Sequence, residues 1–283
     1  LNNCTNSGEI KVDGVATGIT DGYTIKLGGF VGIKDSNVNL TFTNCKNLGK
    51  VTLGGEQIAQ STKAYNYCVG GYVGYTSSAK ITFPGSVNGS ETDATKGAVS
   101  IVGTAPSGVA LGGFIGLSTV AITLDGLKNY GPVQISSACG ESNTYRVNIG
   151  GILGVSPLVK PTIQNCENYG HIKYGPTASL ARTDLGGIIG GTPAGATISS
   201  CKNGGKVEHT SATASGEQTV AGICGCPQVG TIFNDCVNLA SAEIIGGGKT
   251  GSGYDIAGIA GGPSGADVQF NRCKNYGTVK HTV

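Results

Sequence analysis

The chain contains no methionine and no tryptophan, and only 13% of its 283 residues are charged. The net charge of +2 gives no polybasic field, which argues against nucleic acid or an anionic membrane surface as a partner. No apolar run approaches the roughly 20 residues that a membrane-spanning helix needs, so this segment is not expected to insert into a bilayer. The 3 histidines are too few to argue for a metal site or a Ser-His-Asp triad.

Glycine, in contrast, is abundant, and many of the 50 glycines belong to a repeated pattern. The phrase Cys-x-Asn-x-Gly occurs in 8 full or partial copies whose first positions are Cys4, Cys45, Ser86, Leu127, Cys166, Cys201, Cys236 and Cys273. The 35 to 41 residues between copies are typical of a repeat architecture. We therefore predict one domain over residues 1–283. Because the chain begins and ends inside a repeat phrase, we expect it to be a fragment of a longer exported protein.

Each repeat contains three short segments with strand character. The first follows the phrase and alternates polar and apolar residues, as in residues 9–12. The second leads into a glycine pair such as Gly28-Gly29, where we expect a kink because glycine in a strand often marks a bend. The third places an apolar residue three positions before each later copy of the phrase, at Phe42, Phe83, Leu124, Ile163, Ile198, Phe233 and Phe270. This column is the firmest candidate for the core.

Three short strands per turn cannot bury their apolar sides alone, but stacked turns can form a continuous core. Crossovers between parallel strands are right-handed in nearly all sheets. The sequence therefore predicts an all-β fold, a right-handed single-stranded parallel β-helix, or β-solenoid. We expect about seven turns of 35–41 residues, with three short strands in each turn.

The two motifs in series, Asn-Cys-x-Asn-x-Gly-x-Ile/Val and Gly-Gly-Ω-Ω-Gly, where Ω is a large apolar residue, cover essentially the whole chain. This combination resembles the GLUG-type repeats of bacterial surface proteins, which occur in IgA-peptidase-like and adhesin-like polypeptides and in exported proteins of gut Bacteroidetes. The resemblance implies an exported, surface-displayed repeat region rather than a catalytic one. The expected location is therefore extracellular or at the cell surface.

Two columns of the phrase are predicted to be structural. The asparagine is present in every copy, and stacked amides can hydrogen-bond along the solenoid axis: Asn6, Asn47, Asn88, Asn129, Asn168, Asn203, Asn238 and Asn275. The glycine that follows is expected to supply a positive φ in the turn. The cysteine column comprises Cys4, Cys45, Cys166, Cys201, Cys236 and Cys273. These residues can pack as buried free thiols, form disulfides between rungs or hold a metal.

A possible ligand surface lies at the start of the second strand. Tyrosines recur there at fixed positions, and a row of aromatic rings can support a sugar or a protein. The same positions are in phase with Ile25 and Leu27, which point inward, so the rings can equally line the edge of the core. With the charged residues nearby, this candidate surface comprises Tyr65, Tyr67, Tyr145, Arg146, Arg182, Asp184, Tyr254 and Asp255.

Parallel β-helices often host carbohydrate-active enzymes, whose sites need two carboxylates, or a carboxylate with Arg or Lys, converging on one face. Asp184 and Asp255 share a column but are two turns apart, so no catalytic, cofactor-binding or metal-binding residue is predicted. We predict a non-enzymatic cell-surface solenoid, a stalk or adhesin-like segment that binds an unknown protein or glycan or acts as a spacer. The alternative is a carbohydrate-binding or carbohydrate-degrading β-helix. We expect a monomer with flanking domains in the intact chain.

Overall fold

The computed structural model describes residues 1–13, 24–54, 65, 67–102, 108–136, 146–176, 178–179, 182–210, 213–214, 216–247, 249–250 and 253–282. Every pairing between strands in these ranges is parallel, and each strand pairs with its copies in the neighbouring turns. The predicted all-β solenoid is therefore confirmed. None of the described residues belongs to a helix with the length and hydropathy of a membrane span.

The repeat phrase itself forms the first sheet of the solenoid. Within the described ranges, sheet 1 contains eight two-residue strands: Thr5–Asn6, Lys46–Asn47, Val87–Asn88, Lys128–Asn129, Glu167–Asn168, Lys202–Asn203, Val237–Asn238 and Lys274–Asn275. The predicted first strand of each repeat follows as sheet 2: Ile10–Val12, Val51–Leu53, Val99–Ile101, Val133–Ile135, Ile172–Tyr174, Val207–His209, Glu243–Gly247 and Thr278–Thr282.

The predicted second strand is two strands in the structure, because the chain turns at the glycine pair. Sheet 3 precedes the pair and, in the described residues, consists of Ile25–Gly28, Tyr67–Gly70, Val109–Gly112, Val147–Gly150, Thr183–Gly186, Gln218–Ala221 and Tyr254–Ala257. Sheet 4 follows the pair and consists of Val31–Lys34, Val73–Thr76, Ile115–Ser118, Leu153–Val155, Ile189–Gly191 and Cys224–Cys226. The expected kink is confirmed.

The predicted third strand returns the chain to the next phrase as sheet 5. Its described strands are the pair Leu40–Thr41 and Ile81–Thr82 and the group Thr123–Asp125, Thr162–Gln164, Thr197–Ser199, Ile232–Asn234 and Gln269–Asn271. A small sheet also forms in the variable loops, from Ala178–Ser179, Thr213–Ala214 and Lys249–Thr250. A full circuit thus has five strands where three were expected, because the phrase pairs on its own and the glycine pair divides the second strand.

The circuit encloses two apolar cores. The first lies between sheets 2 and 3 and contains residues such as Val99 and Leu111. The second lies between sheet 4 and sheets 1 and 5, and it holds both apolar residues that follow each glycine pair, as Phe114 and Ile115 show. The predicted third-strand column is buried from Phe42 to Phe233, whereas Phe270 in the last turn is 49% exposed.

The eight asparagines form one hydrogen-bonded ladder along the solenoid. Each described Asn donates from Nδ2 to Oδ1 of the Asn in the next turn, at 2.7–2.9 Å, through all seven links from Asn6 to Asn275. Four of them, Asn129, Asn168, Asn203 and Asn275, also donate to the carbonyl of the glycine two residues later, as Asn129 does to Gly131 at 2.9 Å. The buried amides are thus satisfied by their own copies, as stacked amides can be.

The second glycine of each pair packs directly on this ladder. A Cβ atom at Gly113 would lie 2.7 Å from the Asn129 amide and 2.1 Å from the carbonyl oxygen of Gly151. The same closeness recurs at the other six copies, where the Asn amide would be 2.2–2.7 Å away. The two sequence motifs therefore occur together because they are in contact, and only glycine leaves room for the amide.

The glycine two residues after the Asn, as at Gly49, Gly131 and Gly170, does not have the positive φ that was expected. Its role is close approach, since a Cβ at Gly170 would lie 2.1 Å from the carbonyl oxygen of Gly131. The left-handed conformation is found instead at the residue before the Cys column, with φ between 50° and 68° in all eight copies: Asn3, Asn44, Gly85, Gly126, Asn165, Ser200, Asp235 and Arg272. Asn, Asp and Gly adopt this conformation most readily, and they fill six of the eight positions.

Gly126→Ala tests this column without introducing a steric clash. No atom lies within 4 Å of a Cβ built at Gly126, so the whole effect comes from its φ of 68°. We expect the free energy of unfolding to fall by about 1–2 kcal/mol, the cost of the left-handed conformation for an L-residue. Gly253→Ala is the matched control, because its Cβ also meets open space but its φ is not in that region. Equal effects of the two substitutions in urea titrations would contradict the assignment.

The nine cysteines in the described residues are free thiols. In the repeat column each Sγ lies near the carbonyl oxygen two residues earlier, as Cys166 does with Gln164 at 3.2 Å. Four of them also lie near a sheet 5 carbonyl of the preceding turn, as Cys166 does with Leu124 at 3.6 Å. Ser86 replaces cysteine in this column and donates to the Phe42 carbonyl at 2.7 Å. Cys166, Cys201, Cys236 and Cys273 thus link their phrases to the sheet 5 strand of the turn before.

Candidate functional site

Sheets 3 and 4 pack back to back, and a cleft opens where they diverge. They approach so closely that a Cβ at Gly154, in sheet 4, would lie 2.7 Å from the backbone oxygen of Leu111 in sheet 3. Beyond this contact, one column of sheet 3 faces one column of sheet 4. We call the space between these columns in the fourth to sixth turns the inter-sheet cleft. It has a volume of about 570 Å³ and is lined by Asn148 of sheet 3 and Gly191 and Cys226 of sheet 4.

In the earlier turns the same space is filled by side chains. Tyr75 and Leu117 occupy the sheet 4 column there, and they pack against Cys68 and Ala110 of sheet 3. The next members of the sheet 4 column are Val155 and Gly191, paired in register. Because Gly191 has no side chain where earlier turns have a tyrosine and a leucine, the cleft is open at this level.

A buried ion-pair cluster lies behind the cleft. Asp184 is fully buried next to Asn148 in sheet 3, and its Oδ1 accepts from Arg182 Nε at 3.2 Å and from Thr219 Oγ1 at 2.9 Å. Arg182 also pairs with Glu217 at 2.5 Å. Burial raises the pKa of Asp184, against the opposing effect of Arg182 and then Arg146. Arg182 contacts both carboxylates and neither lines the cleft, although Asp184 Oδ2 has no hydrogen-bond partner among the described residues.

The side chains that do face the cleft include two cations and a buried amide. The Arg146 side chain is 43% exposed, and its Nη1 lies 3.8 Å from Asp184 Oδ2, beyond hydrogen-bond distance. Lys160 is exposed at the rim. Asn148 is 1% exposed, and its Nδ2 has no hydrogen-bond partner among the described residues. Burial raises the pKa of Tyr65 to about 12, so its phenol remains neutral.

The structure brings together only part of the surface that the sequence suggested. Tyr65 and Arg146 line the cleft, while Arg182 and Asp184 form the ion-pair cluster behind it. Tyr67 belongs to the first core, so the core interpretation holds for this residue and a ligand contact is ruled out by its burial. Tyr145 lies outside the described residues.

The remaining two suggested residues lie farther along the solenoid. Tyr254 is partly buried against His281, with ring centroids 5.1 Å apart, and its hydroxyl donates to the Gly247 carbonyl at 2.6 Å. Asp255 follows Thr219 in the sheet 3 column and does not line the cleft. Tyr254 thus packs at the edge of the first core, and Asp255 continues the polar column.

Sequence reasoning missed Asn148, Lys160 and Gly191. A signal for two of them exists in the alignment of the turns. Asn148 stands in a column occupied by Cys68 and Ala110 in the two preceding turns, and Gly191 stands in the column of Leu117. A polar residue and a glycine that replace apolar copies in facing columns mark a local opening. Lys160 gave no such signal.

The cleft and its surroundings offer no metal site among the described residues, where no group of three or more His, Cys, Asp or Glu could hold an ion. His209 and His281 share a column of sheet 2 two turns apart, with Gly246 between them. His209 is fully buried and stacks on Tyr174 at 4.9 Å between ring centroids. Its surroundings are aromatic and make it part of the first core's edge.

This burial predicts a loss of stability in acid. Burial lowers the pKa of His209 from 6.5 to about 4. Between these values the unfolded chain binds a proton that the folded chain does not, so the free energy of unfolding falls as the pH drops from about 6.5 towards 4. The full effect is about 3 kcal/mol, at 1.36 kcal/mol for each pKa unit.

Urea titrations at pH 7.5, 5.5 and 4.5 on the wild-type chain and on His209→Phe measure this effect. Phenylalanine keeps the stack on Tyr174 but does not titrate, and the carboxylates contribute equally to both proteins. The difference in stability between the two should therefore shift in favour of the variant as the pH falls. Parallel pH profiles would show that His209 does not titrate with folding.

Comparison of the chain with protein-family models, curated proteins and solved structures finds no match in any of the three.

Proposed function

We propose that this chain is a non-enzymatic binding segment of an exported, cell-surface protein, a rigid solenoid that presents the inter-sheet cleft to a protein or glycan ligand. The observation that carries the proposal is the contrast between the repeat and the cleft. The Asn ladder, the glycine pairs and the core columns keep nearly the same residue type in every turn. The sheet 3 column at the cleft instead changes from turn to turn, through Ala110, Asn148, Asp184 and Thr219.

A regular scaffold with one non-repeating polar surface is suited to ligand recognition. The scaffold holds the side chains in position, and the variation in residue type from turn to turn provides selectivity. The volume of about 570 Å³ lies within the range of small-molecule and sugar sites. The resemblance of the paired motifs to GLUG-type repeats supports display outside the cell. The pairing of Asp184 and Glu217 with Arg182 supports binding over acid–base catalysis, since glycoside hydrolysis needs carboxylates that reach the substrate.

The test is binding of the purified chain to arrays of glycans and of extracellular-matrix proteins, with the same panel assayed for release of cleaved products. We expect retention on some array elements and no product. Product formation that exceeds the buffer blank would replace this proposal with the alternative, a carbohydrate-degrading β-helix. Failure to bind any glycan or protein would favour a spacer.

A further inference from the structure

The inter-sheet cleft carries positive charge at its opening. The charged residues that line it are Arg146 and Lys160, and no Asp or Glu lines it within the described ranges. The two nearest carboxylates both contact Arg182, Asp184 at 3.2 Å and Glu217 at 2.5 Å, and Asp184 Oδ2 also lies 3.8 Å from Arg146 Nη1. Counting Arg146, Arg182 and Lys160 against Asp184 and Glu217 leaves one net positive charge. A ligand that enters from solvent therefore meets two cations first.

The floor of the cleft has a buried hydrogen-bond donor next to Tyr65. Nδ2 of Asn148 has no partner among the described residues, although the side chain is 1% exposed. Buried donors in proteins are nearly always satisfied, and an unsatisfied one costs free energy. An acceptor atom supplied by a ligand would complete this group.

The rim adds apolar surface to these polar groups. Pro157, Leu158, Pro193 and Val229 line the opening, and Leu158 and Val229 are 72% and 41% exposed. A sugar ring has an apolar face of C–H groups and a polar edge, so it can pack on such a rim while its substituents reach inward. The cleft thus has a hydrogen-bond donor at its floor, two cations at its opening and a small apolar rim. These features match a sugar ring that carries a carboxylate.

We infer that the inter-sheet cleft binds an acidic sugar unit of a glycan, with the carboxylate between Arg146 and Lys160 and a ring or hydroxyl oxygen accepting from Asn148. Arginine is well suited to this partner because its planar guanidinium matches a carboxylate. The inference rests on the proposed binding function and specifies its ligand class.

An extended peptide fits this surface less well. Peptides that add to a sheet need a free strand edge, but Val147–Gly150 and Thr183–Gly186 of sheet 3 are each paired with strands on both sides. The same holds for Leu153–Val155 and Ile189–Gly191 of sheet 4. The cleft offers side chains rather than backbone, which favours a compact ring.

Isothermal titration calorimetry on the whole chain tests the ligand class with matched probes. Trigalacturonate is compared with its methyl-esterified form, and sialyllactose with lactose, so that each pair differs in the carboxylate charge or in the acidic sugar unit. We expect at least one acidic probe to bind about tenfold or more tightly than its neutral counterpart. The affinity of that probe should fall as salt is raised.

Three substitutions test the site. Lys160→Gln and Arg146→Gln each remove one positive charge and should weaken the acidic probe about tenfold or more. Gly191→Leu fills the cleft with the residue that Leu117 provides in an earlier turn, and it should abolish binding. Lys50→Gln is the control, because this exposed lysine does not line the cleft, and its affinity should stay within about twofold of wild type. Circular dichroism checks that each variant folds. If Gly191→Leu does not fold, Lys160→Gln still tests the site, because Lys160 is exposed.

The outcomes separate the inference from the proposed function. Equal affinity for acidic and neutral probes, or unchanged affinity in both charge variants, overturns the acidic-sugar inference while a binding function stands. Binding only to matrix proteins on the arrays has the same effect. Cleavage of the acidic probe overturns the non-enzymatic function while the ligand class stands. Absence of binding to every probe and array element overturns both.

Discussion

Replacing Asn129 by alanine is expected to lower the free energy of unfolding by about 3–9 kcal/mol, because three buried polar groups lose their partner at about 1–3 kcal/mol each. Asn129 accepts from Asn88 at 2.7 Å and donates to Asn168 at 2.7 Å and to the Gly131 carbonyl at 2.9 Å. Water does not replace these bonds, since Asn129 is fully buried. The ladder also runs in one direction, so each amide polarises the next and the loss extends beyond one link.

Two further variants separate hydrogen bonding from packing. Asn275 occupies the same column but is exposed in the last turn, so Asn275→Ala should cost only about 1 kcal/mol. Asn129→Asp keeps the shape of the side chain but cannot donate to Asn168 or Gly131, and it should be as damaging as alanine at neutral pH. Urea titration followed by circular dichroism gives the free energies. An Asn129→Ala protein no less stable than Asn275→Ala would mean that the ladder contributes little.

The solenoid was predictable because its core columns repeat. An apolar residue occurs three positions before every later copy of the phrase, and the structure buries this column from Phe42 to Phe233. The sequence period sets which residues stack, and the alternation within residues 9–12 sets which side faces inward. These two facts suffice for a parallel stack of strands.

The arrangement of the sheets around the circuit was not predictable in the same way. Alternation along a strand tells which residues share a face, but not which other strand covers that face. The back-to-back contact of sheets 3 and 4 depends on glycines such as Gly116 and Gly154, whose Cβ atoms would lie less than 3 Å from backbone atoms of sheet 3. The sequence alone does not distinguish a glycine that is needed for a turn from one that is needed for close contact between two sheets.

The candidate site lies where the repeat is broken, and this is why its residues were only partly found. Arg146 and Asp184 were noticed as scarce charged residues, whereas Asn148 and Gly191 are visible only after the columns of sheets 3 and 4 are known to face each other. A site formed between two columns requires the packing of the sheets, which a single column cannot reveal. The ion pair of Asp184 with Arg182 likewise follows from side-chain direction rather than from spacing.

Phe42→Ala is expected to cost about 3–5 kcal/mol, the range for truncation of a fully buried phenylalanine. Phe42 is at the centre of an aromatic cluster, with ring centroids 5.3–5.4 Å from those of Phe30, Tyr72 and Phe83. Removal of the Phe42 ring leaves a cavity that the neighbouring rings cannot fill. Tyr72 is fixed in place because its hydroxyl donates a hydrogen bond to the Cys45 carbonyl at 2.5 Å.

The matched control for Phe42→Ala is Phe270→Ala. Phe270 occupies the same column, and its ring stacks on that of Phe233 with centroids 5.1 Å apart. Phe270 is 49% exposed, so its truncation removes less buried surface and leaves no enclosed cavity. We expect a loss of about 1–2 kcal/mol there, since the loss of transfer free energy scales with the area buried. Urea titrations of both variants measure the difference. A cost below about 1 kcal/mol for Phe42→Ala would mean that the aromatic cluster relaxes into the vacated space, since rigid packing makes such a small loss impossible.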